Sequence, residues 1–175
     1  MLGYVLLAAC TLSALTLVSW AAADPAILHS SPNPVQNALG PIGAIVADII
    51  IHLFGLTGIL LILPPLFWGL QLITVHRLDS PRVRIVLTPI AIALLACAAS
   101  SLPTATDWPL GNYGMGGIVG DQVLKLTGGL LAMLRPQRAA AAAGLFCFAG
   151  GLTLLAKSIG LSRADIEFAI RGPGR

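Results

Sequence analysis

Four long apolar segments constrain this chain more than any other feature of its sequence. They cover residues 2–23, 55–75, 85–102 and 139–157, and the only charged residue among them is Lys157 at the end of the last. A helix needs about 20 apolar residues to cross the hydrocarbon core of a bilayer. Only 10% of the 175 residues are charged, against about 25% in an ordinary soluble domain. The sequence therefore predicts an all-α integral membrane protein with four transmembrane helices.

The first apolar segment has two competing interpretations. Ala21-Ala22-Ala23 resembles a signal-peptidase site, and Leu7 to Cys10 resembles a lipoprotein cleavage box. Cleaved signals begin with a basic region and a short apolar stretch, whereas no Lys or Arg precedes Arg77 here. We therefore expect the segment to be retained as a membrane helix.

The positions of Lys and Arg predict the orientation of the spans. Three arginines lie between the second and third spans, and four basic residues lie at or after the end of the fourth. The opposite side holds only Lys125, Arg135 and Arg138. Because cytoplasmic loops carry the excess of basic residues, we expect both termini to be cytoplasmic.

A motif is repeated before the second and fourth spans. Residues 43–48 read Gly-Ala-Ile-Val-Ala-Asp, and residues 116–121 read Gly-Gly-Ile-Val-Gly-Asp. The same offset pairs Gly55 with Gly128. Parallel repeats are known in membrane proteins such as transporters. We predict two tandem repeats about an axis along the membrane normal.

The stretch from residue 42 to residue 73 is too long for one straight span. As a continuous helix it would reach about 48 Å, against a hydrocarbon core of about 30 Å. We expect it to break near Gly55 and Gly58. Each repeat then has a short outer interfacial helix, at residues 42–54 and 117–127.

Small residues and aspartates of the repeat are the candidate structural or interaction residues, because small side chains allow close approach of helices. An i, i+4 pair, Asp48 and His52, is also compatible with a proton or ion site. Lys125 replaces the histidine in the second copy, which favours a structural role for both aspartates. The candidates are Gly43, Ala44, Asp48, Gly55, Gly116, Gly117, Gly120, Asp121 and Gly128.

No residue pattern predicts catalysis or binding of a metal or cofactor. Gly151 to Ser158 lacks the second glycine of a phosphate loop and ends an apolar span. Cys10, Cys97 and Cys147 lie within spans and are expected to pack as small apolar residues. We expect no catalytic residue, no metal and no cofactor in this chain.

The last residues differ from the membrane domain at 1–160. Ser162, followed three residues later by Asp165, is typical of a helix start. Gly172 to Arg175 has the character of a linker. Residues 161–175 are therefore predicted to form a cytoplasmic helix and the start of a linker.

The order of these motifs resembles the amino-terminal four-span domain of FtsK/SpoIIIE-type DNA translocases. The resemblance rests on Asp24-Pro25, residues 33–41, Phe54-Gly55, the two glycine motifs and residues 149–155, and covers about residues 1–160. In that family the basic stretch before the first span is usual. It is missing here, which indicates a trimmed or misassigned start.

The resemblance implies a membrane anchor at the bacterial division septum. The family's cytoplasmic motor is a hexamer that uses ATP to pump chromosomal DNA, and its membrane domain contacts other division proteins. The implied partners are the lipid bilayer, other division proteins and further copies of the chain. DNA would be bound only through a motor domain, which these 175 residues do not contain.

Two other classes of function are weighed against the anchor. A stand-alone four-span channel or transporter needs a water-accessible polar path, and the spans hold almost no charge. A membrane enzyme needs two inward-facing catalytic groups, which the sequence does not offer. Both are less favoured than the anchor.

Overall fold

The computed structural model describes residues 1–26, 32–104, 106, 108–132 and 139–161. Within these residues the fold is entirely helical, with six α-helices and one 3₁₀ helix. The α-helices are α1 (Leu2–Val18), α2 (Gly40–Phe54), α3 (Leu63–Thr74), α4 (Pro81–Ser100), α5 (Gly117–Ala132) and α6 (Ala139–Ile159), and the 3₁₀ helix is Gly55–Ile62.

The most extensive packing is between α4 and α6, followed by α4 with α5 and α1 with α3. α5 also packs against α6 and α2. Close approach of α1 and α3 is possible because Gly3 and Gly69 face each other without side chains between them. The carbonyl of Ile159 accepts a hydrogen bond from Gln71 of α3. The start of α1 and the end of α6 therefore lie at the same end of the bundle.

Three helical stretches among the described residues are long and apolar enough to cross a bilayer. They are Gly40–Thr74, with 35 residues, Pro81–Ser100, with 20, and Ala139–Ile159, with 21. The first predicted span is shorter than expected: α1 has 17 residues, at the lower limit for a spanning helix. After Val18 the chain turns, and the Ser19 hydroxyl donates to the Leu15 carbonyl at 2.6 Å.

The stretch Gly40–Thr74 changes helix type twice. α2 ends at Phe54, and Gly55 has a positive φ of 56°. Pro64 and Pro65 occupy the first turn of α3, where proline is favoured because the first N–H groups of a helix lack partners within it. The sequence predicts a kink inside a helix at these prolines. They instead mark the transition from the 3₁₀ helix to α3.

Both predicted outer helices differ from their expected bounds. The helix expected at 42–54 begins two residues earlier, as α2 at Gly40. The helix expected at 117–127 continues as α5 to Ala132, and the hydroxyl of Thr127 donates back to the Val123 carbonyl at 2.7 Å within it. The predicted helix and linker after residue 161 lie outside the described residues, as does Asp107.

Two apolar clusters form the described core. Ile92 and Leu95 of α4 pack with Leu155 and Ile159 of α6, joined by residues of the 3₁₀ helix. At the other end, Leu17, Ala47, Ile51 and Leu110 pack together, with Trp20 and Trp108 against them. Cys10, Cys97 and Cys147 are buried free thiols, and residues 151–158 lie within α6 rather than in a loop.

Candidate interaction site at the glycine junction

Most of the candidate glycines meet at one place, which we call the glycine junction. It is formed by Gly55 at the end of α2, by Gly116, Gly117 and Gly120 at the start of α5, and by Ala96 on α4. All five residues are buried. Here three helices approach each other at backbone distance, as small residues allow in membrane proteins.

Gly55 and Gly117 form the first contact of the glycine junction. The N–H of Leu56 donates to the Met115 carbonyl at 2.9 Å, which ties the break after α2 to the loop before α5. Both glycines have positive φ, 56° and 67°, a conformation that costs other residues energy. A β-carbon on either one would also collide with the backbone of the other segment.

Gly116 and Gly120 form the second contact. They lie one helical turn apart, and a β-carbon on either would collide with the carbonyl of Ala96 and with the Ser100 hydroxyl. The two glycines thus form a groove in α5 that receives the backbone of α4. Any larger side chain at these positions would push the two helices apart.

Asp121 closes this contact with two hydrogen bonds. Its Oδ1 accepts from the hydroxyl of Ser100 at 2.5 Å, and its Oδ2 accepts from the N–H of Gly114 at 3.1 Å. The carboxylate therefore joins the end of α4 to the loop before α5. Carboxylates hydrogen-bonded to backbone N–H groups form some of the stronger hydrogen bonds in proteins.

Asp48 lies in α2 and is 2% exposed. Its Oδ1 is 3.2 Å from Nδ1 of His52, which also lies 2.8 Å from the Asp48 carbonyl oxygen. Its Oδ2 is buried with no hydrogen-bond partner among the described residues. Asp48 and Asp121, which the repeat pairs, therefore differ in the number of carboxylate oxygens that accept hydrogen bonds.

The start of α2 is held by a separate polar contact. A β-carbon on Gly43 would collide with the side chain of Asn37, and Ala44 is 1% exposed. Asn37 donates through its side chain to the Thr16 carbonyl at 2.8 Å. Its N–H donates to the carboxylate of Asp24 at 3.0 Å. Asp24 and Asn37 thus fasten the loop before α2 to the end of α1.

Gly128 lies apart from the glycine junction. It is in α5, and a β-carbon there would meet nothing within 4 Å. The offset that pairs Gly128 with Gly55 in the sequence does not give the two residues similar surroundings. Of the six predicted glycines, Gly128 is the one with open space beside it.

Sequence reasoning missed three residues of this site. Ser100, Asn37 and Met115 supply the hydrogen bonds that connect the predicted residues to the rest of the fold. Ser100 is a polar residue near the end of the predicted third span, which was the available signal. Met115 contributes only its carbonyl, so its side-chain type carried no signal.

One apolar groove lies next to the glycine junction. It has a volume of about 470 Å³ and lies between the 3₁₀ helix, α4 and α6, with Leu60, Ala98, Gly144 and Phe148 among its lining residues. Most of its lining is aliphatic or aromatic, with hydroxyl groups only from Thr57 and Ser101. No three His, Cys, Asp or Glu side chains in the described part of the chain are grouped so as to hold a metal ion.

These features define the class: an apolar helical membrane domain whose small residues pack helix backbones together. The chain belongs to the family described as the 4TM region of DNA translocase FtsK/SpoIIIE, which matches residues 1–165. This family assignment confirms the resemblance found in the sequence and supports a membrane location.

Relatives named DNA translocase FtsK match most of the chain. The protein of Agrobacterium fabrum is 33% identical over 86% of this chain, and the protein of Brucella suis is 35% identical over 82%. The protein of Rhizobium meliloti is 37% identical over 70%. The chain spans 18%, 16% and 14% of these relatives, respectively. No solved structure matches the chain.

Proposed function

We propose that this chain is the membrane anchor and division-protein interaction domain of a septal, ATP-driven DNA translocase. The observation that carries the proposal is the family match over residues 1–165. The relatives extend far beyond the matched region, so the ATP-driven motor and the binding of DNA are assigned to parts outside these 175 residues. The domain itself is assigned no catalysis and no cofactor.

The proposed orientation places both termini in the cytoplasm and the glycine junction toward the outer side. The excess of Lys and Arg on one side of the spans supports it. Reporter fusions at Ser31 and Tyr113 should be active outside the membrane, and fusions at Ser80 and Arg175 should be active inside. The reverse pattern would contradict the orientation.

We assign contact with other division proteins to an apolar stripe on α2. Ile42, Val46, Ile49 and Leu53 are exposed on that helix, and their spacing of four, three and four residues places them on one face. The opposite face of α2 carries Ala44, Ala47 and Asp48 and is buried. Proposed oligomerisation with further copies of the chain rests on the resemblance alone.

Localisation of a chimera tests the anchor function. In Agrobacterium fabrum, the matching region of its DNA translocase FtsK would be replaced by this chain and a fluorescent protein attached. We expect a band at the division site, whereas an unrelated four-span domain in the same place should label the whole membrane. A uniform signal from the chimera would contradict the proposal.

A matched pair of variants tests the stripe. Val46→Asn changes an exposed residue of the stripe, and Leu152→Asn changes a comparably exposed residue on α6. We expect only Val46→Asn to weaken the septal band, with both variants inserted in the membrane to the same level. Equal localisation of the two variants would remove the stripe from the proposal.

The alternative function is a stand-alone channel or transporter. A transport path through this domain would need polar side chains along it, and the groove between the 3₁₀ helix, α4 and α6 offers few. Replacing Asp48 and Asp121 with Asn in the chimera should leave localisation intact under the anchor hypothesis. If liposomes that contain the unchanged chain show a solute flux and the two Asn substitutions abolish it, the result would support the transporter instead.

A further inference from the structure

A polar cluster at the other end of the bundle binds the last turn of α6. It consists of Trp68 and Gln71 on α3, Arg84 and Thr88 on α4, and Ser158 on α6, and we call it the polar clasp. Polar side chains near the ends of apolar helices are costly to bury without partners. Here they bond to one another and to the backbone of α6.

The last four carbonyl groups of a helix have no partner within it, and in α6 all four are satisfied. The N–H groups of Gly160 and Leu161 donate to the Lys157 and Ala156 carbonyls at 3.1 and 3.0 Å. This is the hydrogen-bond pattern of a Schellman motif. It leaves the carbonyls of Ser158 and Ile159 to be satisfied by other groups.

Side chains from α3 and α4 bind these two remaining carbonyls. Trp68 donates through Nε1 to the Ser158 carbonyl at 2.7 Å. Gln71 donates to the Ile159 carbonyl at 3.0 Å, and Arg84 donates to the same oxygen at 3.4 Å. The end of α6 is thereby joined to both neighbouring helices.

Arg84 is the residue that connects the polar clasp. Its guanidinium donates to the side-chain oxygen of Gln71 at 2.6 Å, while its own backbone carbonyl accepts from the Ser158 hydroxyl at 3.3 Å. The positive charge lies at the negative end of the α6 dipole, where a cation is favourable. The same nitrogen, Nη1, donates to both Gln71 and Ile159, and the planar guanidinium holds it in a fixed geometry, whereas a lysine ammonium ends a more flexible stem.

Gly160 makes room for the guanidinium. A β-carbon there would collide with Arg84, and the residue has a φ of 90°. The chain passes from α6 through Gly160 to Leu161, and then to the residues beyond the described part. The contact with Arg84 is therefore made at the point where the chain leaves the bundle.

We propose that Arg84 is a positioning residue that fixes the direction in which the chain leaves the membrane domain. A pull on the residues after Gly160 is then shared by α3, α4 and α6 instead of acting on α6 alone. The value of this rigidity to the cell rests on the proposed anchor function. The geometry of the polar clasp is independent of that function.

The test measures the spread of distances between spin labels in the purified chain in lipid nanodiscs. With the three native cysteines replaced by serine, labels are attached at Val75→Cys and Leu161→Cys, both exposed positions. In the parent protein we expect a narrow distribution. Arg84→Gln should broaden it by about twofold or more, and Arg84→Lys should also broaden it because the flexible lysine stem holds its donors less rigidly than a planar guanidinium.

Two controls separate positioning from general stability. Arg82→Gln removes an exposed arginine on the same helix, close to Arg84 in sequence, and should leave the distribution as narrow as in the parent. A second label pair, at Leu56→Cys and Leu102→Cys, reports on the opposite end of the bundle and should not broaden in Arg84→Gln. If Arg84→Gln does not insert, Arg84→Lys and Gln71→Leu take its place.

Three outcomes would overturn the proposal. They are a narrow distribution in every clasp variant, equal broadening in Arg82→Gln and Arg84→Gln, and equal broadening of both label pairs. A septal chimera that fails to localise would overturn the anchor function but would not alter these distances. The two proposals can therefore fail independently.

Discussion

Asp48 and Asp121 occupy equivalent positions in the sequence repeat but have different surroundings. Both oxygens of Asp121 accept hydrogen bonds, from Ser100 and from the N–H of Gly114. Asp48 contacts His52 through one oxygen, and its other oxygen has no partner in the described part of the chain. A shared motif has therefore not produced a shared set of contacts.

The sequence contains one physical reason for this difference. Gly114 lies seven residues before Asp121, and Pro41 lies seven residues before Asp48. Proline has no N–H to donate. Gly114 also lies in the loop before α5, whereas Pro41 already lies in the first turn of α2. The first copy therefore has no loop N–H at the equivalent position to fasten its aspartate. The second copy has the stronger polar contact, and its glycines have the closest backbone packing.

The largest effect is expected from a methyl group at the glycine junction. In Gly120→Ala the new β-carbon meets the Ala96 carbonyl, and overpacking of this kind costs about 2–3 kcal/mol. The free energy of unfolding would be measured in mixed micelles with increasing denaturing detergent. We expect the free energy of unfolding of Gly120→Ala to be lower than that of the parent protein by this amount.

Gly128→Ala is the matched control, in the same helix. It adds the same methyl group where nothing lies within 4 Å, and alanine is favoured over glycine in a helix by about 1 kcal/mol. We expect stability to be unchanged or slightly raised. Equal losses in both variants would show that α5 is sensitive to any substitution and that the glycine junction is not special.

The next effect is expected at Asp121. Asp121→Ala removes two hydrogen bonds and leaves the Ser100 hydroxyl and the Gly114 N–H without their acceptor. We expect a loss of about 2 kcal/mol of unfolding free energy. The variant Ser100→Ala should lose less, about 1 kcal/mol, since the bond to Gly114 remains. A larger loss in Ser100→Ala would contradict the assignment of the contact to the carboxylate.

The sequence predicted features that depend on local pattern better than those that depend on which parts meet. Long apolar segments and the glycine motifs were visible in the sequence, and the family was recognised from their order. The contact of Gly55 with Gly117 was not predicted, because the repeat pairs Gly55 with Gly128. The offset between the two repeated motifs identifies equivalent positions in the sequence. It does not predict which small residues are in contact in the fold.

The polar clasp shows a second limit of sequence reasoning. Gln71, Arg84 and Ser158 lie on three different helices, and each is an ordinary residue for the end of a span. Their meeting follows from the packing of α3, α4 and α6. The change of helix type at Pro64 was missed for a related reason, since proline is compatible both with a kink and with the first turn of a new helix.

A smaller effect is expected at Asp48 than at Asp121. Asp48→Asn keeps an oxygen beside His52 and breaks no hydrogen bond to Oδ2, because none is present among the described residues. We expect the unfolding free energy to change by less than about 1 kcal/mol. The free energies of unfolding of Asp48→Asn and Asp121→Ala would be compared in the same micelles. A loss at Asp48 equal to that at Asp121 would mean that the buried oxygen has a partner, such as an ordered water, and would remove the contrast between the two copies.

The smallest effect is expected when the second copy is given the histidine of the first. Lys125 is exposed and lies four residues after Asp121, as His52 lies four residues after Asp48. In Lys125→His, the carboxylate already has hydrogen bonds on both oxygens, so the new imidazole adds little. Surface changes of this kind alter stability by less than about 0.5 kcal/mol. A gain of more than about 1 kcal/mol, the size of a net hydrogen bond, would show that the Asp–His pair stabilises either copy by itself. The difference between the two copies would then come from residue type and not from the missing N–H at Pro41.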